Sequence, residues 1–212
     1  MLEKFESIYP VCTPSHILSN APFVPIRKRE RTHSSTTTVG LLSNLSPEKG
    51  LMDFLETARL AKEAKLPVRM LLAGPVARMD DARAISDAVE AGIVEWQGPL
   101  YGEQKYHFFD SIDLFLFPTR YQHEAQPTVI YEAFASGVPV ISFDRGTIGD
   151  QVEDCLLAIN PKDNFSEVAI ELIRQYTDLS AEEKSNLCDR AREIHERHSA
   201  LSLRKLRDLY ED

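Results

Sequence analysis

Lys49, Glu124 and Glu132 are the residues of this sequence whose types and spacing point most directly to chemistry. Lys49 lies in the run Ser43-Asn44-Leu45-Ser46-Pro47-Glu48-Lys49-Gly50. Ser46 is a good N-cap and Pro47 suits the first helical position, which predicts Lys49 in the first turn of a helix. The helix dipole disfavours a cation there. An anion bound at the same end, held by free N–H groups and the ammonium together, would account for it. Taken alone, the residue reads as readily as a solvated lysine on a surface helix, and that is the commoner case.

Glu124 and Glu132 lie on either side of a second turn, Gln122-His123-Glu124-Ala125-Gln126-Pro127-Thr128, which leads into Val129-Ile130-Tyr131-Glu132-Ala133-Phe134. Thr128 and Glu132 are four apart and share a helix face, while Val129, Ile130, Ala133 and Phe134 form the buried side. A carboxylate on so apolar a helix needs hydroxyl or amide partners, and the hydroxyls of a ribose would serve. The amides of Ala125, Gln126, Thr128 and Val129 can hold a diphosphate; Pro127 has none to give. The plainer reading is one glutamate favoured by the helix dipole and one solvated on the outer face. His123 has only its proximity to Glu124 to suggest acid–base work.

The elements that must position these residues follow from alternation along the chain. Val39–Ser43, Val68–Ala73, Val94–Gln97, Leu114–Phe117 and Val138–Phe143 read as strands, with a sixth short one near Leu156–Ile159. Between them Pro47–Ala64, Arg78–Ala91, Glu103–Ser111 and Thr128–Ala135 carry apolar residues at helical spacing. Strands apolar on both faces, alternating with helices, predict an α/β fold built on a doubly wound parallel sheet. Beyond it the spacing predicts a C-terminal helical tail in three pieces: Ser166–Tyr176, Ala181–Glu196 opened by the capping box Ser180-x-x-Glu183, and about Ala200–Tyr210. Residues 1–37 read as a linker or N-terminal extension, with one short strand around Ser15–Ser19 and a basic run from Arg27 to Arg31; residues 38–212 read as the domain. In such sheets ligands sit beyond the carboxyl ends of the strands, where both turns fall.

Composition narrows the classes. The 212 residues are 43% hydrophobic and 27% charged, ordinary for a globular protein with a full core. No apolar run approaches the ~20 residues of a membrane-spanning helix, and nothing at the start reads as a signal peptide. Cys12, Cys155 and Cys188 are too scattered for a disulfide framework or a metal site, which fits a reducing cytoplasm. A net charge of −9 argues against nucleic acid as a partner, since that needs a basic face.

Five segments together resemble the family 4, or group 1, glycosyltransferases. Glu124-x7-Glu132 followed by Ala133-Phe134-Ala135-Ser136-Gly137-Val138-Pro139 is similar to the family signature, and Leu45 to Gly50 to its first-strand motif. Leu71-Leu72-Ala73-Gly74-Pro75, Gly98-Pro99-Leu100 and Ser111 to Pro118 resemble its remaining strand ends, in order and at normal spacing. The resemblance runs from about Thr38 to Tyr210. It implies the C-terminal, Rossmann-like, donor-binding domain of the two-domain GT-B fold, and retaining transfer of a sugar from a UDP-, GDP- or ADP-sugar, usually with no metal or other cofactor.

Carried over residue by residue, the resemblance implies that Lys49 contacts the diphosphate and Thr128 a phosphate through its amide. Glu132 would bind the ribose, and Glu124 the transferred sugar, as the catalytic residue. Leu100 would meet the base through its backbone, with Lys105 near the phosphates. Gly74, Ala125, Gln126 and Val129 complete the expected donor site. The chain departs from the family at Ser43-Asn44, where Gly-Arg is usual. Asn44 can donate a hydrogen bond but brings no charge, so Arg120 and Arg145, both at strand ends, are the candidates for a second cation. The acceptor-binding N-terminal domain is not in this sequence, so the resemblance implies a partner domain or subunit, and a place in the cytoplasm or at the membrane periphery as part of the complete enzyme. Two other readings stand beside transfer: a non-catalytic nucleotide-sugar sensor or partner subunit, and a nucleotide-sugar epimerase of the same fold.

Overall fold

The computed structural model describes residues 7–9, 16–27, 36–153 and 158–211. The alternation read from the sequence is present as β1 (Thr37–Leu42), α1 (Leu51–Glu63), β2 (Val68–Ala73), α2 (Met79–Glu90), β3 (Glu95–Trp96), α3 (Glu103–Ser111) and β4 (Leu114–Phe117). It continues through α4 (Thr128–Ala135), β5 (Val140–Phe143), a short α5 (Ile148–Val152) that the spacing did not predict, β6 (Ala158–Ile159), α6 (Phe165–Asp178) and α7 (Ala181–Glu211). The six strands lie in the order β3-β2-β1-β4-β5-β6, each parallel to its neighbour. This is the doubly wound Rossmann-like order, and the winding reverses between β1 and β4.

Burial explains why the central strands are so apolar. Every residue of β1, β4 and β5 is buried, because helices cover both faces of the sheet. Gly40 in β1 leaves room for Phe108 and Ile112, whose atoms would stand 2.8 Å from an added Cβ. Phe109, Phe115 and Phe117 extend a run of ring contacts under the sheet.

Of the boundaries that differ from the sequence reading, four have a clear local reason. The helix expected from Pro47 is divided: Pro47–Lys49 is a 3₁₀ turn capped by Ser46, and α1 begins after Gly50. Gly50 has φ +82° and lies so close to β4 that a Cβ would stand 2.2 Å from the Pro118 carbonyl oxygen. Lys49 therefore precedes the helix rather than riding its first turn. The third strand shrinks to Glu95–Trp96 at the exposed sheet edge, and β5 starts at Val140, after Gly137 (φ +68°) and Pro139 have turned the chain. The two tail helices expected after the capping box are one helix, α7, with no glycine or proline between 181 and 211 to divide it. The capping box itself forms, with Ser180 and Glu183 exchanging bonds of 2.8 and 3.2 Å.

The strand expected around Ser15–Ser19 is not found in residues 16–19, and Ser15 lies outside the described residues. Backbone groups there bond to side chains instead of to a neighbouring strand. Ser19 N–H donates to Ser202 Oγ (2.8 Å), and Lys205 Nζ donates to the Ile17 carbonyl (3.1 Å). A 3₁₀ turn at Ala21–Phe23 then packs on α7 with Ala21 and Val24 buried. Cys12, Cys155, Leu156, Leu157 and the basic residues 28–31 also lie outside the described residues, and Cys188 is buried in α7. Among the described residues, no helix is long and apolar enough to cross a membrane.

Candidate functional site

At the reversal point between β1 and β4, the carboxyl ends of β1, β2 and β4 border a cleft of about 490 Å³. Nine of the residues singled out in the sequence line it: Asn44, Lys49, Gly74, Leu100, Lys105, Glu124, Gln126, Thr128 and Val129. Gly74 (φ +130°) lets β2 turn against β1, where a Cβ would overlap the Ser43 carbonyl oxygen at 1.8 Å.

Two ion pairs set the electrostatics. Lys49 Nζ donates to Glu124 Oε2 at 2.6 Å, with side chains 25% and 12% exposed. Thr119 Oγ1 donates to the same carboxylate oxygen at 3.2 Å, and the Lys49 ammonium stands 4.4 Å from the centre of the Tyr121 ring. Lys105 Nζ donates to Glu132 Oε1 at 2.5 Å. The second oxygen, Glu132 Oε2, is buried with no hydrogen-bond partner. A buried carboxylate oxygen left open is costly, and a hydroxyl donor from a ligand would satisfy it.

The backbone adds a third feature. Thr128 and Val129 open α4, so their N–H groups have no partner within the helix. No side chain caps that end, because Pro127 holds the N-cap position. The helix is also braced from behind. Tyr131 Oη and His198 Nδ1 are 2.9 Å apart, and His198 Nε2 and Glu153 Oε1 2.7 Å. Burial pushes the Tyr131 phenol up to about 12. Burial also works to raise Glu153, but hydrogen bonds from His198 and Arg197 outweigh it and hold the carboxyl below its usual range.

Other candidates lie elsewhere. The Arg120 guanidinium forms a two-point pair with Asp53 (2.7 and 2.7 Å) over the Phe143 ring, and the Asp53 hydrogen bond raises its pKa. Arg145 donates to the Arg120 carbonyl. Neither is among the residues lining the cleft, whose cations are Lys49 and Lys105. Ala125 is not among the residues lining the cleft, and its carbonyl accepts from Thr147 N–H at 3.3 Å. Glu132 sits beside the cleft, reached through Lys105. His123 packs edge-on against Tyr121.

The sequence reading missed Thr119, Tyr101 and Ser43. A polar residue two steps beyond the apolar strand Leu114–Phe117, after Pro118, was the signal for Thr119. Tyr101 gave none beyond adjacency to Leu100, and Ser43 stood out only as half of the Ser43-Asn44 departure, with no role of its own. Among the described residues, no group of three or more His, Cys, Asp or Glu side chains is placed to hold a metal.

Residues 36–178 match the family model described as glycosyl transferases group 1, well over half of the chain. The chain belongs to that family. No curated protein sequence matches it. Solved structures do. An S. aureus TarM variant in complex with fondaparinux, α-GlcNAc-glycerol and UDP is similar with a TM-score of 0.77 and 22% identity, covering 99% of this chain and 42% of that one. Anabaena HepE in complex with UDP and glucose is similar at 0.65 and 19%, over 84% of this chain and 49% of that one. The pneumococcal O-GlcNAc transferase GtfA in complex with UDP and GlcNAc is similar at 0.64 and 15%, over 92% and 37%. This group 1 glycosyltransferase chain has their GT-B type of Rossmann-like domain and spans less than half the length of each.

Proposed function

We propose that this chain is the donor-binding half of a retaining glycosyltransferase and that its cleft holds a sugar nucleotide. The observation that carries the reading is the meeting, at one sheet reversal, of two lysines, two glutamates and the open end of α4. Lys49, Lys105 and the amides of Thr128 and Val129 take the diphosphate. The open Oε2 of Glu132 takes a ribose hydroxyl. Leu100 takes the base, and UDP is the first candidate, since three similar structures contain it.

In transfer, the bond from the anomeric carbon to the diphosphate oxygen breaks and a bond to an acceptor hydroxyl oxygen forms. The hydroxyl proton leaves to the departing diphosphate or to solvent, and the diphosphate carries away the bonding electrons. In this reading Glu124, between Lys49 and the turn before α4, faces the sugar as it gains positive charge, and stabilisation made only there lowers the barrier. Lys49, Lys105 and the open end of α4 contact the diphosphate directly, and the proposed reaction uses no metal. The acceptor comes from a second domain or subunit, whose walls exclude water and orient the hydroxyl.

Isothermal titration with UDP-, GDP- and ADP-sugars, with and without EDTA, tests this. One of them should saturate the chain in the micromolar-to-millimolar range, about −4 to −8 kcal/mol, and EDTA should change nothing. No binding by any of the three would overturn the reading. A non-catalytic nucleotide-sugar sensor is favoured by one observation, the Ser43-Asn44 departure from the family's Gly-Arg. It predicts binding that persists with no transfer when the second domain is supplied.

A further inference from the structure

Three carbonyls in succession before α4 are each held from outside the cleft. The Ala125 carbonyl accepts from Thr147, through both its N–H (3.3 Å) and its hydroxyl. The Gln126 carbonyl accepts from Asn20 Nδ2 (3.0 Å), while Gln126 Oε1 accepts from Asn20 N–H (2.5 Å). The Pro127 carbonyl accepts from Gln151 Nε2 (3.0 Å). In a trans peptide the carbonyl and the following N–H point in opposite directions, and the described chain has no cis bonds. Holding the Pro127 carbonyl toward α5 therefore aims the Thr128 N–H away from α5, to the side the cleft occupies. Holding the Ala125 carbonyl does the same for the Gln126 N–H.

Gln151 is the telling member of this set. It is 1% exposed, lies on a short helix that contributes nothing to the cleft lining, and has a buried Oε1 with no partner. A buried amide that uses its donor and leaves its acceptor open is a poor choice for stability, where an aliphatic side chain would serve as well or better. The Pro127 carbonyl does not need it for satisfaction, since Ile130 N–H also donates there at 3.3 Å.

We propose that Gln151 is a positioning residue for the phosphate-binding turn: with Thr147 and Asn20 it fixes the peptide planes before α4, so that the Gln126 and Thr128 amides stand ready for the diphosphate. This rests on the donor-site reading above and adds to it three residues from outside the cleft.

The test is Gln151→Leu, with Thr147→Ala as a second variant and Ser86→Ala as a control. Ser86 is exposed on α2, where its hydroxyl donates to Glu90, away from the turn and from every residue that holds it. UDP and uridine are titrated against each protein by NMR, and thermal unfolding is followed in parallel. Gln151→Leu should weaken UDP about tenfold and uridine less than about threefold, the weight of one hydrogen bond to a charged group. It should move Tm by less than about 4 °C or raise it. The Gln126 and Thr128 amide resonances should shift even without ligand. Thr147→Ala should act in the same sense but less, and Ser86→Ala should leave the UDP-to-uridine ratio alone. Wild-type binding with an unchanged ratio and unmoved amides in both turn variants would overturn the positioning role while leaving the donor site standing. A wild-type chain that binds none of UDP, GDP and ADP would overturn the donor site, and this inference with it.

Discussion

Replacing Glu124 with glutamine should tighten the binding of a nucleoside diphosphate while crippling transfer. Lys49 is already engaged, donating to Glu124 at 2.6 Å with both side chains largely shielded. For Lys49 to reach a phosphate, that bond must be exchanged. The pair lies between two regimes: exposed ion pairs contribute at most about 1 kcal/mol, and hydrogen bonds to charged groups about 1.5–3 kcal/mol. Taking about 1–1.5 kcal/mol, freeing the ammonium should improve UDP affinity about five- to twelvefold. Loss of the carboxylate's repulsion for the phosphates works in the same direction, and glutamine keeps an oxygen for the Thr119 hydroxyl. The measurement is calorimetry on wild type, Glu124→Gln, Lys49→Ala and the double variant. Without Lys49 the gain should shrink to the direct repulsion alone, as a coupled pair requires. Transfer, assayed with the acceptor domain supplied, should fall about a hundredfold, the scale of one lost electrostatic stabiliser. Equal or weaker UDP binding by Glu124→Gln would refute the exchange of partners.

Glu132→Ala should weaken uridine and UDP alike, by about tenfold or more, because it removes the acceptor assigned to the ribose; a loss confined to UDP in calorimetry would move Glu132 to the phosphates. Gly50→Ala should lower Tm by about 8 °C or more, since a left-handed residue (φ +82°) gains a Cβ 2.2 Å from the Pro118 carbonyl oxygen; an unchanged melt would show that the turn yields. Burial holds His195 below its ordinary pKa of 6.5, so the unfolded chain takes up the proton first. That part of the stability is full above about pH 6.5 and is lost as pH falls below it. Urea midpoints at pH 7.5, 6 and 5 should fall more steeply for wild type than for His195→Phe.

The sheet was legible in the sequence because β1, β4 and β5 are buried on both faces, and only apolar runs survive there. The turn before α4 was legible because its helix had to carry a glutamate through an apolar stretch. What escaped were matters of partner choice at long range. Arg120 looked like a free cation at a strand end, but its partner Asp53 is 67 residues away on α1. Asn20 lies in a stretch with no period, and its contact with Gln126 depends on α7 holding the segment in place. The break at Gly50 escaped because capping signals at Ser46 and Pro47 are satisfied as well by a 3₁₀ turn as by a helix. Gln151 gave no signal, since a buried glutamine in a short helix looks like an exposed one until its surroundings are known.

The pairing of each cleft lysine with a glutamate also bears on how fast a ligand arrives. Lys49 cancels Glu124 and Lys105 cancels Glu132, so the empty cleft presents little net charge at a distance. The chain as a whole carries −9. An approaching diphosphate therefore meets no attracting field until it is within reach of the ammonium groups themselves. On the donor-site proposal its encounters are unsteered and slowed by this chain's overall charge, and added salt, by screening that repulsion, should speed its association rather than slow it.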